Sequence, residues 1–271
     1  MIGAIIGDIV GSRFEFDNHR SMDFDLFTED CFVTDDSIMT LAVAKAIMMT
    51  DQEILKNIDS TRIDKAYLDQ LSINTVRSMQ SIGRKYPECG YGGSFYGWIF
   101  SPNPQPYNSY GNGAAMRINP ISKVANSIEE VKKLSKAVTV ISHNHEEGIK
   151  GAEATAMAAY LARTGQTKEQ IGKYIEDHYY KLDFTIDEIR DTYEFNETCQ
   201  ETVPQAIQVF LGSESFEDAI RKAISIGGDS DTVAAIAGGI AEAYYGVPEE
   251  LMDKALTYLD SDLLEIIQKW I

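Results

Sequence analysis

The sequence predicts an all-α fold, and three observations carry that expectation. Apolar residues recur at helical spacing along most of the chain, Ala- and Met-rich runs favour helix, and no series of alternating apolar and polar residues marks a sheet. Runs of helix without intervening strands pack as helical layers and not as an α/β sandwich. The chain has 271 residues, 44% of them hydrophobic, which is enough to bury a large core. No linker, low-complexity run or solenoid repeat divides it, so a single domain is expected over residues 1–271.

The elements follow in order. Met1 to Val10 is apolar, with Gly3, Gly7 and Gly11 standing four apart. On a helix these glycines form one smooth stripe against which another backbone can approach closely. Glycine is costly inside a helix unless such closeness is needed. The spacing is not that of a dinucleotide fingerprint, and no strand precedes it. Ser37 to Met49 (SIMTLAVAKAIMM) is the next helix. Tyr86 to Pro120 is expected to be one long irregular stretch, because four of the seven prolines fall between Pro102 and Pro120 among many Gly, Asn and Tyr. A loop of that length inside a compact domain is either disordered or functional. Helices are then expected over Ile128 to Ile141, Gly151 to Ala162, Phe216 to Ile226 and Thr232 to Tyr245, and a last amphipathic helix over Leu251 to Trp270.

Charge and cysteine content narrow the function. A net charge of −18 argues against non-specific binding to nucleic acid or to an anionic membrane, both polyanions. It does not exclude a nucleotide ligand, since a bound cation reverses the local field. Three cysteines, Cys31, Cys89 and Cys199, form no close pair and read as free thiols of a reducing compartment. The start lacks the Lys or Arg of a secretory leader and is interrupted by Asp8. The apolar run Val233 to Ala241 falls far short of the roughly 20 residues of a membrane span. A cytoplasmic protein is expected.

Two segments far apart in the chain share one chemical character: Thr34-Asp35-Asp36-Ser37 and Gly227-Gly228-Asp229-Ser230-Asp231-Thr232. Each stands at the start of an Ala-rich helix. Helix capping accounts for either segment alone, because Asp, Ser and Thr accept bonds from the free amides of a helix N-terminus. Together they hold more carboxylates than caps use, and adjacent carboxylates repel unless a cation lies between them. Four carboxylates and two Thr hydroxyls make an all-oxygen donor set, which suits Mg²⁺ or Mn²⁺ better than zinc. Capping and a binuclear hydrolytic site both remain open on these residues.

Three further features carry chemistry. Ser109-Tyr110-Gly111-Asn112-Gly113-Ala114-Ala115-Met116-Arg117 reads either as a plain turn or as a cradle of backbone amides for a diphosphate. Arg117 suits a structural ion pair or a phosphate contact. His143 and His145, two residues apart, cannot share a helix face, so a role in stacking or in capping fits them better than a zinc pair. Glu15, between Phe14 and Phe16, is either a solvated carboxylate or an acid–base group with a tuned environment.

Gly3-Ala4-Ile5-Ile6-Gly7-Asp8 with Gly11 and Glu15, followed by Thr34 to Ser37, Gly111 to Arg117 and Gly228 to Thr232, resembles the ADP-ribosylglycohydrolases in order and separation. The resemblance implies an orthogonal all-α bundle holding two Mg²⁺ or Mn²⁺ ions, with Thr34, Asp35, Asp36, Asp229, Asp231 and Thr232 as ligands. It implies that Glu15 and Asp36 are catalytic. Ser109, Tyr110, Gly111, Asn112, Gly113 and His143 would contact the substrate, an ADP-ribosylated protein or small ADP-ribose conjugate from which ADP-ribose is released. The Cys-Phe-Asp-Ile-Gly pattern of the arginine-directed bacterial branch is absent, which weakens any transfer of arginine specificity. The alternatives are a catalytically silent ADP-ribose-binding or structural relative, against which all six competent ligand positions speak, and a metal-dependent phosphoesterase.

Overall fold

The computed structural model describes residues 1–54 and 63–270; residues 55–62 and 271, which the expected domain includes, lie outside the described residues. The architecture is helical, as expected. Among the described residues, β pairing is limited to an isolated antiparallel bridge between Gly111 and Thr198.

Helix α1 (Ile2–Gly11) buries all ten of its residues. Its glycine stripe explains how. A Cβ at Gly3 would lie 2.3 Å from the carbonyl oxygen of Gly238, one at Gly7 2.1 Å from that of Ala234, and one at Gly11 2.4 Å from the Cα of Asp231. As numbers rise along α1 they fall along α13 (Ser230–Tyr245), so the two helices run antiparallel with backbones in direct contact. Gly238 returns the favour, since a Cβ there would lie 2.3 Å from the Gly3 carbonyl oxygen. The pairing sets the C-terminal end of α1 beside the N-terminal end of α13.

A second buried helix, α8 (Glu146–Arg163), packs against α13 and, like it, is rich in alanine. Around this pair lie α7 (Ile128–Thr139), α11 (Cys199–Leu211) and α12 (Phe216–Ser225). The outer helices are amphipathic: α12 buries Phe216, Ala219, Ile220, Ala223 and Ile224 at i, i+3, i+4 spacing and turns its charges outward. Helix α2 (Asp35–Ile54) packs against α3 (Lys65–Gly83) and α15 (Ser261–Trp270). Two short helices, α9 (Lys168–His178) and α10 (Ile186–Ile189), lie in the connection between α8 and α11.

Two expectations need correction. The stretch Tyr86 to Pro120 is not irregular throughout: it contains α4 (Gly93–Phe100), α5 (Gly113–Met116) and the start of α6 (Asn119–Val124). In α4, Phe95, Trp98 and Ile99 bury a helical stripe that outweighs the glycines at 93 and 97. The expected helix over Leu251 to Trp270 is two helices, α14 (Glu249–Leu256) and α15. Asp260 divides them, its carboxylate accepting from the amides of Asp262 and Leu263 and so capping α15. The sequence reading also passed over α3, α9, α10 and α11.

Gly7→Ala is expected to destabilise the fold by about 3 kcal/mol, the upper end of ordinary overpacking costs, because backbone and not a movable side chain blocks the new methyl. Gly97→Ala, which meets nothing within 4 Å on α4, is expected to be neutral or to stabilise by up to about 1 kcal/mol. Chemical denaturation of both variants measures the contrast.

Candidate functional site

The two distant acidic segments meet. Thr34 is buried directly ahead of α2, and Asp35 and Asp36 form its first turn. Asp229 precedes α13, and Asp231 and Thr232 lie in its first turn. Both helices thus point N-terminal ends at one place, where their dipoles favour negative charge. Thr232 Oγ1 donates to Asp36 Oδ2 at 3.2 Å, and Thr34 Oγ1 lies 3.3 Å from Asp231 Oδ2, so each segment touches the other. Gly227 and Gly228 hold φ of 69° and 77°, a left-handed pair that turns the chain sharply into Asp229. Asn18 clamps that turn to the segment after Glu15: it accepts from the Gly228 amide at 2.9 Å and donates to the Gly228 carbonyl at 3.0 Å.

Two more carboxylates join these four. Glu15, half-buried, offers an oxygen that lies with oxygens of Asp229 and Asp231 inside a 4.8 Å cluster. Asp8, on α1, is fully buried and accepts from the Thr34 hydroxyl and from the amides of Thr34 and Ser37. The sequence reading gave Asp8 no role. Its signal was there, as the one charged residue in an apolar stretch shaped for burial on all sides.

No Lys or Arg forms an ion pair with any of these carboxylates among the described residues. The uncompensated charge shows in the proton affinities. Burial, reinforced by neighbouring carboxylates, holds Asp35, Asp36 and Asp231 well above the usual carboxylate range. Burial also pushes Asp8 and Asp229 up to about 6. Glu15 rises to about 8, through burial first and then the charges of Asp231, Asp8 and Glu197. Asp36 Oδ1 is buried without any partner. A buried carboxylate oxygen with no donor, in an all-oxygen cluster that the protein leaves uncompensated, fits a hard divalent cation.

This cluster forms one wall of a cavity of about 470 Å³. Its lining includes Glu15, Asp35, Asp36, Asp229, Asp231 and Thr232, and the predicted loop residues Ser109 to Gly113 and His143. Thr34 is not among the lining residues. Asn112 joins the two regions by donating to Asp229 Oδ2 at 2.6 Å. The loop is strapped from behind by residues 197–199: the Asn112 amide donates to the Glu197 carbonyl at 2.7 Å, and the Cys199 amide to that of Tyr110 at 3.0 Å. Of the three amides considered for a diphosphate, that of Asn112 is therefore committed to backbone pairing. That of Gly111 donates to Ser109 Oγ at 3.1 Å. That of Gly113 has no acceptor among the described residues.

The two histidines diverge. His143 is buried in the cavity wall, its Nδ1 2.9 Å from Ser142 Oγ. Burial and the Arg117 charge hold its pKa well below the ordinary value, so the ring is neutral. His145 caps α8, accepting from the Glu147 amide at 3.1 Å, and sets its ring edge-on to Tyr110. Arg117 makes no ion pair among the described residues; buried, it donates to Ser142 Oγ at 2.8 Å and lies over the Phe95 ring. Gly90, Gly92, Gly93, Ser94, Phe95, Tyr107, Glu197 and Thr198 also line the cavity and were not anticipated as site residues. The glycines at 90, 92 and 93 belong to the stretch whose composition already stood out, whereas nothing local marks Glu197 or Thr198. The three cysteines are free thiols.

The raised acids predict a pH dependence. Carboxyls that bind protons more tightly in the folded chain than in the unfolded one stabilise the fold at low pH. That advantage is lost as pH rises from the ordinary carboxylate value of about 4 through the folded values. The window here runs through about 6 for Asp8 and Asp229 and about 8 for Glu15. In EDTA the melting temperature is expected to fall steadily between about pH 5 and pH 8, and Mg²⁺ or Mn²⁺ to remove most of that fall. Equal slopes with and without the cation would count against a cation site.

The profile of the ADP-ribosylglycohydrolase family matches residues 1–270. The human ADP-ribosylhydrolase ARH3 is 25% identical over 97% of this chain and 90% of its own length, and the mouse protein of the same name is 24% identical over 97% and 88%. The ADP-ribosylarginine hydrolase Tri1 of Pseudomonas putida is 27% identical over 58% of this chain and 44% of its own. A solved structure described as an ADP-ribosylglycohydrolase-related protein complex superposes with a TM-score of 0.64 at 19% identity, covering all of this chain and 97% of that one, and shares the fold. The chain belongs to the ADP-ribosylglycohydrolase family.

Proposed function

We propose that this protein hydrolyses the glycosidic bond linking ADP-ribose to a modified protein side chain or small molecule and releases ADP-ribose. One observation carries the reading: carboxylates from the starts of α2 and α13 and from the Glu15 turn converge, without a compensating Lys or Arg among the described residues, on a cavity large enough for a nucleotide sugar. Family membership, and relatives named as ADP-ribosylhydrolases, supply the substrate class.

Thr34, Asp35, Asp36, Asp229, Asp231 and Thr232 would hold two Mg²⁺ or Mn²⁺ ions. When bound, the ions supply positive charge that fixes the ribose hydroxyls and polarises the reacting centre. Asp36, with one oxygen on Thr232 and the other unpartnered, stands at the junction of the two acidic segments. Glu15 is placed to move the proton at the scissile bond, because it is half-buried and lines the cavity, and burial raises its pKa to about 8 when no cation is bound. Glycoside cleavage builds positive charge on the sugar, and in this reading Glu15 handles the proton while the cation site fixes the geometry. On the far side of the cavity, the Gly113 amide and the Ser109 hydroxyl are the donors best placed to meet a diphosphate, since the Asn112 amide is engaged by Glu197. Tyr110, Gly111 and neutral His143 shape that side, where binding energy remote from the bond helps hold the reacting centre.

Asp35→Ala, Asp231→Ala or EDTA is expected to abolish ADP-ribose release from substrates of defined linkage; full activity after any of these would refute the metal-dependent reading. Glu15→Gln is expected to lower kcat by about 10²–10⁴ while leaving ADP-ribose affinity within a few fold, as for loss of a proton-transfer group. Chromatography of the products separates this reaction from phosphoester cleavage, which would give free phosphate and no intact ADP-ribose.

A further inference from the structure

Asp8 is the buried anion that the six expected ligands do not include. It has 0% exposure and lies on α1, while the three donors to its carboxylate come from Thr34, directly ahead of α2, and Ser37, in its first turn. Its Oδ1 accepts from the Thr34 hydroxyl at 2.5 Å. Its Oδ2 accepts from the Thr34 and Ser37 amides, each at 3.1 Å. Both oxygens are therefore spent on α2.

A threonine hydroxyl has one proton and two lone pairs. Around Thr34 Oγ1 two acceptors compete for the proton, Asp8 Oδ1 at 2.5 Å and Asp231 Oδ2 at 3.3 Å. The shorter contact to a buried carboxylate wins, since charge-assisted bonds of this kind are the stronger ones. One lone pair of Oγ1 accepts from the Asp36 amide at 3.3 Å, and with the proton on the Asp8 side the other is left for the face toward Asp231. A proton on that face would repel a cation, and a lone pair attracts one.

We propose that Asp8 is a positioning residue: by holding the Thr34 hydroxyl proton and two amides of α2, it makes Thr34 a lone-pair donor to the cation site and fixes the Asp35–Asp36 turn against α1. The proposal rests on the metal-dependent reading above. Asn at position 8 cannot do the same work. Its side chain offers one acceptor oxygen, whereas three donors converge there. Whichever way the amide turns, a donor faces a donor, and the Thr34 hydroxyl either reverses or the α2 turn loses its tie.

The test is Mn²⁺ titration of the full chain, followed by calorimetry, for wild type, Asp8→Asn, Thr34→Val, Thr34→Ser and the Asp8→Asn/Thr34→Val double variant. Asp8→Asn is expected to weaken Mn²⁺ binding by about 10–100-fold, the range for residues that orient a ligand. Thr34→Ser is expected to keep the affinity and Thr34→Val to lose it. The double variant is expected to lose less than the product of the two single losses, because both substitutions act in part through the same hydroxyl. A purely structural role lowers the melting temperature but gives no such coupling. Wild-type affinity in folded Asp8→Asn, or losses that multiply in the double variant, overturns the proposal. If Asp8→Asn does not fold, by circular dichroism, then undiminished binding by Thr34→Val overturns it instead. A wild-type chain that binds no Mn²⁺ sinks the metal-dependent reading itself, a separate outcome.

Discussion

The site depends on the contact between the backbones of α1 and α13. Helices joined through ordinary side chains keep their axes 8–10 Å apart. Here Gly3, Gly7, Gly11 and Gly238 remove the side chains that would enforce that distance. The closeness brings Asp8 near the end of α1 into the neighbourhood of Asp231 at the start of α13, although more than two hundred positions separate them. Residues beyond α1 then carry Glu15 to the same wall, and Asn18 fastens that turn to Gly228. A bulkier helix pair would leave each acidic turn as a capped helix end with nothing opposite it.

That convergence has an electrostatic cost. Carboxylates brought together in a buried place repel one another and lose solvation, and each shift recorded here runs in the direction that favours the protonated form. The N-terminal ends of α2 and α13, the three donors on Asp8 and the Asn112 amide group on Asp229 offset part of it. The remainder is a standing demand for positive charge that no Lys or Arg among the described residues meets.

The opposite wall of the cavity works by a different logic. There the loop at 109–113 owes its shape to residues 197–199, whose backbone pairs with it through the Gly111–Thr198 bridge. Burial keeps His143 neutral beside Arg117, so that wall combines a positive charge, a neutral ring and aromatic faces of Phe95 and Tyr107. One cavity thus has an anionic end without a compensating Lys or Arg among the described residues, and an opposite end where a buried guanidinium lies among aromatic rings.

The sequence by itself determined the all-α class, the helices α1, α2, α7, α8, α12 and α13, the glycine stripe and the two acidic turns, because these are periodic or compositional signals that act over a few residues. It also marked the loop at Ser109 to Gly113, though not its internal helices, whose apolar stripe in Phe95, Trp98 and Ile99 is short and interrupted by glycine. Tertiary structure alone decided which partners those signals acquired. Whether Asp36 caps a helix or faces Thr232, whether the Asn112 amide is free or bound to Glu197, and whether Asp8 is a flaw in an apolar helix or the anchor of Thr34 are questions of long-range contact. A carboxylate's role is set by the charges and donors within a few ångströms of it, and residues far apart in the chain supply most of them here.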